Sequence, residues 1–230
     1  MIVQNYVFED IVVPRVMWIG ASDTDTADLA KIAGVAIQSG VSIISAPAAA
    51  TDKIWPWLES SRVQIFNRFD FIPGKDVADA VSKLATDITA AFRNGANGVQ
   101  IFVPQKNIQD FVEVILPIRN DLFFDHGFCV GVNLDEMQSA NWSEIFDAIS
   151  KVEPDTVLIT ASGDDFDAKS DFIGRVYDML MHWNLNANLH IMFGKNMFRV
   201  CQTVRLVRNI RPNLIDDMRV FVAPDFIVKE

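Results

Sequence analysis

Short apolar runs alternate with longer, helix-like segments along the whole chain. The runs carry few polar positions, which is typical of strands that are covered on both faces, as in a parallel sheet. Eight such strands are predicted: Arg15–Gly20, Val41–Pro47, Val63–Phe69, GVQIFVP from Gly98, Phe128–Leu134, TVLITAS from Thr156, Asn188–Phe193 and Met218–Pro224.

The segments between the strands have helical periodicity, most clearly from Asp76 to Arg93, where the apolar side chains fall on one face. This alternation predicts an α/β fold, a (βα)8 TIM barrel formed by a single domain, 1–230. Only six residues follow the last strand, so the last helix is expected to be truncated or absent. A doubly wound open sheet is the alternative, but no glycine-rich phosphate loop favours it.

Composition limits the partners more than the fold. Of the 230 residues 50% are hydrophobic, the formal net charge is −10 and the pI is about 4.7. An acidic surface repels phosphate backbones and anionic lipids, so neither nucleic acid nor a membrane is an expected partner. No apolar run is long enough to span a bilayer, and the N-terminus does not have the pattern of a signal peptide. Cys129 and Cys201 suggest neither a metal site nor a disulfide framework, which favours a cytoplasmic location.

Polar residues that follow the strands form the candidate site, because the active sites of barrels lie at the carboxyl ends of the strands. Arg68 is suited to bind a carboxylate or phosphate as a bidentate fork, and Lys195 as a point charge. The alternative is that each cation forms a salt bridge with a neighbouring acid. Other side chains expected to contact a substrate are Asn133, Ser162 and Asn196.

Two acidic pairs follow the fifth and sixth strands, Asp135–Glu136 and Asp164–Asp165. Asp135 or Asp164 is a candidate general base, and such pairs also suit Mg²⁺. The alternative is that these acids stabilise helix N-termini through the helix dipole.

The remaining candidate groups predict little chemistry. None of the three histidines, His126, His182 and His190, pairs with a serine or cysteine at a recognisable spacing, so a histidine-based hydrolase is not expected. No cluster of metal ligands is found in the sequence, and no cofactor is predicted.

Two stretches carry a resemblance to a known family. They are VQIFNRFDFIPGKDVADAVSKLATDITAAFRNGANGVQIFVP and PDTVLITASGDD, the latter from Pro154 to Asp165. In order and spacing they resemble class I aldolases of the deoxyribose-phosphate aldolase type, over about Arg15 to Pro224. The first is similar to that family's strand, turn, long helix with an acidic start, and next strand. The second resembles the family's strand that ends in Lys-Thr-Ser-Thr-Gly.

The resemblance implies a TIM barrel and a Schiff-base mechanism. The family uses a lysine on the sixth strand, a second lysine on the seventh and a proton-relaying aspartate on the fourth. At the aligned positions this chain has Ile159, Phe193 and Gln100, none of which performs that chemistry. The family's phosphate site uses glycine-rich turns after the last two strands, and here the turn after the seventh strand, GKNMFR, has one glycine.

Two functions therefore stay open, and whether the chain is an enzyme is undecided. One is a divergent aldolase-like barrel without Schiff-base aldol activity that binds a small metabolite. The alternative is an active lyase or aldolase on a small carbonyl compound or sugar phosphate, with Lys195 as nucleophile, because Lys195 shares the parity of Phe193. A barrel that binds flavin is disfavoured by the missing glycines. A truncated last helix would expose the outer face of the eighth strand, which predicts a homo-oligomer.

Overall fold

The computed structural model describes residues 5–8, 11–20, 25–137, 141–161, 171–194 and 196–224. Nine strands lie in chain order within it: β1 Asn5–Phe8, β2 Ile11–Trp18, β3 Ile43–Pro47, β4 Gln64–Asp70, β5 Gly98–Phe102, β6 Gly127–Asn133, β7 Thr156–Thr160, β8 Asn188–Met192 and β9 Arg219–Val222. Each strand from β2 to β8 pairs in parallel with the strand that follows it. The last strand, β9, pairs in parallel with β2, which closes the sheet. The predicted TIM barrel is confirmed.

The first described element is a strand that the sequence did not predict. Strand β1 is antiparallel to β2 and pairs with its first half, Asn5 opposite Pro14 and Phe8 opposite Ile11. Strand β2 is correspondingly longer than the predicted Arg15–Gly20, because its first half belongs to this hairpin and only its second half to the barrel.

Seven α-helices alternate with the barrel strands in the described part of the chain: α1 Thr26–Gln38, α2 Ala48–Leu58, α3 Val77–Arg93, α4 Ile108–Leu122, α5 Trp142–Val152, α6 Phe172–His182 and α7 Met197–Ile210. None of them is long and apolar enough to cross a membrane. The sequence did not single out α2, which contains Pro56 and has Pro47 at its N-cap with no capping side chain. The ordinary signals of a helix start are therefore missing there.

Strand residues alternate between two packing regions, as the two-residue period of a strand requires. One set faces the helices and forms the main core, and it includes Ile159, Val220 and Val222. The other set faces the barrel lumen, where Leu158 and Phe221 pack together. The inner and outer faces of each strand can therefore be assigned from the packing.

The outer face of the last strand is not exposed, contrary to the expectation from the sequence. Val220 is 0% and Val222 is 1% exposed, and on the adjoining strand β2 Met17 is 0% exposed. Exposed apolar surface on β9 therefore gives no argument for a homo-oligomer. The residues after Pro224, on which the truncated last helix depends, lie outside the described part.

Candidate functional site

The floor of the barrel lumen is apolar. Val16, Cys129, Leu158 and Phe221 meet there, each at most 1% exposed. Burial raises the pKa of the Cys129 thiol, which keeps it protonated and unreactive. His190 lies beside this cluster, with its ring centroid 5.8 Å from that of Phe221. Burial and the charge of Arg219 lower the pKa of His190 to about 3, so the imidazole is neutral at pH 7.

The upper lumen carries a cation on β4. The Arg68 side chain crosses to the two preceding barrel strands, where Nη1 donates to the carbonyl oxygen of Ser45 at 3.0 Å and to Ser45 Oγ at 3.2 Å. Its Nη2 donates to the carbonyl oxygen of Ile19. These partners are neutral oxygens. Among the described residues no carboxylate lies within ion-pair distance of the Arg68 guanidinium.

A hydrogen-bond chain extends from Arg68 across the lumen. The Ser45 hydroxyl accepts from Arg68 and donates to Gln100 Oε1 at 2.5 Å. Ser45 is 0% and Gln100 1% exposed, so the amide and hydroxyl are held away from bulk water. Buried polar groups that satisfy one another in this way fix each other's orientation, and here they fix the Arg68 fork.

Trp18 stacks against the cation. The guanidinium carbon of Arg68 lies 3.8 Å from the centroid of the Trp18 ring, and Trp18 in turn packs edge-on against Phe102 and Phe221. Burial lowers the pKa of Arg68 to about 10, while the nearby charge of Asp70 opposes the shift. Arg68 therefore stays charged at pH 7, with one face covered by an aromatic ring.

Above this network the mouth of the barrel opens into a cavity of about 440 Å³. Its described lining combines apolar side chains with one cation and one carboxylate: Trp18, Pro47, Arg68, Phe69, Asp70, Phe102, Thr160, Ala161, Met192 and Gly194. A second cavity of about 270 Å³ adjoins it and shares Asp70, Phe102 and Thr160. A mostly apolar hollow with few convergent polar groups is the usual form of a small-molecule site.

Comparison with known proteins finds no family model and no curated protein that matches the chain. Solved structures do match it. A deoxyribose-phosphate aldolase from Aeropyrum pernix, described as tetrameric, superposes with a TM-score of 0.64 at 12% identity, covering 94% of this chain and 86% of that one. The fold is that of the deoxyribose-phosphate aldolases.

Two further structures agree with this assignment. A proposed deoxyribose-phosphate aldolase from Toxoplasma gondii ME49 has a TM-score of 0.67 at 12% identity and covers 93% of this chain and 87% of that one. The aldolase QR15 has a TM-score of 0.66 at 9% identity and covers 99% of this chain and 96% of that one. The resemblance found in the sequence is therefore confirmed for the fold.

The two positions aligned with the family's lysines, Ile159 and Phe193, do not face the lumen. Ile159 faces the helices, not the lumen, and the lumen-facing neighbours on β7 are Leu158 and Thr160. Phe193 also belongs to the outer core, where its ring packs against Phe172 of α6 at 5.1 Å between centroids. The argument that Lys195 faces the lumen because it shares the parity of Phe193 therefore fails, and Lys195 itself lies outside the described residues.

The other predicted site residues are dispersed. Asp135 forms an ion pair with Arg175 of α6, with Oδ1 3.2 Å from Nη1. Asn133 lines the second cavity, and its Oδ1 accepts from the backbone N–H of Asp135 at 3.0 Å. Asn196 is the N-cap of α7, where its Oδ1 accepts from the N–H of Arg199. Ser162 and Asp164 lie outside the described residues. Of all the predicted residues, Arg68 has the clearest place in the mouth.

Three residues around Arg68 are not among the site residues predicted from the sequence. Ser45 and Gln100 are polar residues inside otherwise apolar strands, which is itself a signal, because buried polar groups need partners. The third, Trp18, lines the cavity. Their joint arrangement around Arg68 depends on contacts between strands that are far apart in sequence.

Proposed function

We propose that this barrel binds a small anionic metabolite at its mouth, with Arg68 as the anchor, and that it does so without Schiff-base aldol chemistry. The observation that carries the proposal is a cation at the wall of a 440 Å³ cavity whose described hydrogen-bond partners are all neutral oxygens. A partly buried charge of this kind attracts an anion more strongly than an exposed one, because water screens it less.

The guanidinium has donors to spare. Its three hydrogen bonds to Ile19 and Ser45 account for at most three of its five N–H groups, so at least two remain. The chain of Arg68, Ser45 and Gln100 holds the guanidinium in place before a ligand arrives. Preorganisation reduces the entropy lost on binding, which favours affinity for a small ligand.

The absence of aldol chemistry rests on the lumen walls of β7 and β8. Among their described residues the lumen-facing ones are Leu158, Thr160, His190 and Met192, and none is a lysine. An amine is needed to form a Schiff base with a carbonyl compound. The alternative is an aldolase or lyase acting through Lys195, which lies outside the described residues.

The proposal extends to the residues, location and assembly expected from the sequence. Asn133, Ser162 and Asn196 would add polar contacts to the ligand, and Asp135 or Asp164 would act as general base if a reaction occurs. A reducing cytoplasm suits the free thiols of Cys129 and Cys201. A homo-oligomer is proposed by analogy with the tetrameric aldolase from Aeropyrum pernix.

The test is equilibrium binding of short-chain carboxylates and phosphate monoesters, measured both by calorimetry and by tryptophan fluorescence. Arg68→Gln should weaken binding at least tenfold, since a hydrogen bond to a charged group contributes about 1.5–3 kcal/mol. Arg211→Gln is the matched control, because Arg211 also donates to two carbonyl oxygens, those of Leu180 and Met181, away from the mouth.

Either of two results would refute the proposal. One is that no carboxylate or phosphate ester binds to the wild-type protein, and the other is that Arg68→Gln binds as well as Arg211→Gln does. Thermal unfolding of both variants separates loss of binding from loss of folding. Borohydride reduction in the presence of small aldehydes and ketones, read by peptide mass, tests the alternative, because a single adduct at Lys195 would establish Schiff-base chemistry.

A further inference from the structure

Asp70 is the charged residue placed to decide which anion the mouth accepts. It lies on β4 two residues after Arg68, so both side chains leave the strand on the same face. It lines both cavities of the mouth, while Arg68 lines only the larger one. Its charge acts on Arg68 and partly offsets the effect of burial on the arginine's pKa. An anion bound at Arg68 therefore sits in the field of Asp70 as well.

No described side chain forms an ion pair with the Asp70 carboxylate. Asp70 forms no ion pair with a described residue, in contrast to Asp135, which is bound to Arg175. The second cavity adds Glu136, which does not line the larger cavity that contains Arg68. Asp70 lines the larger cavity together with Arg68, so selectivity is assigned to Asp70 and not to Glu136.

We propose that Asp70 makes the mouth selective for a monoanion, a carboxylate attached to a small, partly apolar body, and against a phosphate dianion. This inference rests on the proposed function. One bound negative charge balances Arg68 and leaves Asp70 solvated towards the mouth. A second negative charge has no described cation to meet and is repelled by Asp70, because like charges in a partly buried site are poorly screened.

The rest of the cavity wall agrees with this assignment. Trp18, Phe102 and Met192 offer mainly apolar surface, and among these three side chains only the indole N–H of Trp18 is a hydrogen-bond donor, too few for the additional oxygens of a phosphate. The donors left on the Arg68 guanidinium match a planar carboxylate, which two parallel N–H groups bind as a fork. A carboxylate body of a few carbon atoms would contact these three side chains.

The experiment compares two probes of similar size, propionate and methyl phosphate, at pH 7.5 and pH 5.5. A phosphate monoester has its second pKa near 6, so methyl phosphate changes from dianion to largely monoanion between these values, whereas propionate stays mostly ionised. For the wild-type protein we expect tighter binding of propionate at pH 7.5 and about a tenfold gain in affinity for methyl phosphate at pH 5.5.

Asp70→Asn should raise the affinity for the methyl phosphate dianion about tenfold and the affinity for propionate only about threefold, because the repulsion scales with the charge of the ligand, so the pH effect should fall to about threefold. Asp110→Asn is the matched control, since it removes the same charge from the exposed first turn of α4. Asp70 is itself exposed, so its substitution should not affect folding.

The outcomes separate this inference from the function on which it rests. If the wild-type protein binds the dianion as tightly as propionate, or if both Asn variants change affinity equally, the role of Asp70 is wrong while Arg68 binding stands. If neither probe binds at either pH, the proposed function fails and the selectivity fails with it.

Discussion

Two walls of the same lumen differ in what they carry. The wall of β7 and β8, where the aldolase resemblance places two lysines, presents Leu158, Thr160, His190 and Met192. The opposite wall of β3 to β5 presents a connected polar chain of Ser45, Arg68 and Gln100. The fold is shared with aldolases, but the charge in the described lumen lies on the other side.

The contrast shows that one barrel architecture accommodates two lumen walls of different polarity. Packing layers in the lumen tolerate any side chains that fill the volume, and the scaffold depends mainly on the outer core. A charge, by contrast, persists inside only where oxygens or a ligand compensate it. Arg68 has three such oxygen contacts, and this is why the cation can remain while the opposite wall is apolar.

The largest expected effect comes from placing a lysine on the wall of β7 and β8. Leu158 is 0% exposed, so Leu158→Lys would bury an amine without a partner and should cost about 3 kcal/mol or more of unfolding free energy. Thr160→Lys is the matched variant at the cavity rim, with an expected cost below about 1 kcal/mol. Urea unfolding measures both, and equal costs would show that the lower wall is not packed as described.

The next largest effect concerns the polar wall. Ser45→Ala removes the donor to Gln100 Oε1 and an acceptor for Arg68, and an unsatisfied buried group costs about 1–3 kcal/mol. Gln100→Leu and the double variant complete a cycle, in which we expect a coupling of about 1 kcal/mol between the two side chains. A coupling near zero would mean that the chain does not act as a unit.

The burial of His190 in the wall of β7 and β8 can be tested through the pH dependence of the unfolding free energy. Its pKa is about 3 in the folded protein against an ordinary value of 6.5, so the unfolded chain binds the proton more readily. The stability that comes from the neutral imidazole is present above pH 6.5 and is lost as the pH falls towards 3. Between pH 6.5 and 5 the loss should be about 1.5 kcal/mol.

His190→Gln should remove this part of the pH dependence, whereas His182→Gln, at the end of α6, should not. The quantity to compare is the change in unfolding free energy between pH 6.5 and 5, variant against wild type. A wild-type slope that survives in His190→Gln would place the titrating group elsewhere.

Much of the fold could be predicted from the sequence, because buried parallel strands leave continuous apolar runs and α3 has one clear apolar face. The sequence did not allow us to predict which strand residues face the lumen and which face the helices. In the run TVLIT both faces are apolar, so periodicity does not show which residues face the lumen, and Ile159 was aligned with a catalytic lysine although its neighbour Leu158 faces the lumen. Helix α2 was missed because Pro47 at its N-cap gives no capping signal and because Pro56, inside the helix, normally indicates a break.

The site was predicted only in part, for a related reason. Arg68 was identifiable as a cation at a strand end, but two of its three hydrogen bonds go to the backbone oxygens of Ile19 and Ser45, which any residue would provide. Such contacts leave no signature in residue type. Asp135 was selected for its carboxylate, yet the structure pairs it with Arg175, a partner 40 positions away that strand-end reasoning does not reach.

The smallest expected effect concerns Trp18, which lies where the two walls meet. Its ring covers one face of Arg68, with the guanidinium carbon 3.8 Å from the ring centroid. Trp18→Phe keeps an aromatic face but a weaker one, and should cost about 0.5 kcal/mol of unfolding free energy. It should also abolish the fluorescence change on ligand binding while calorimetric affinity falls less than about threefold, as a change of this size implies. If the fluorescence change persists in Trp18→Phe, the signal comes from another tryptophan and does not report binding beside Arg68. Loss of affinity as large as that of Arg68→Gln would instead make the ring, and not the charge, the principal contact of the mouth.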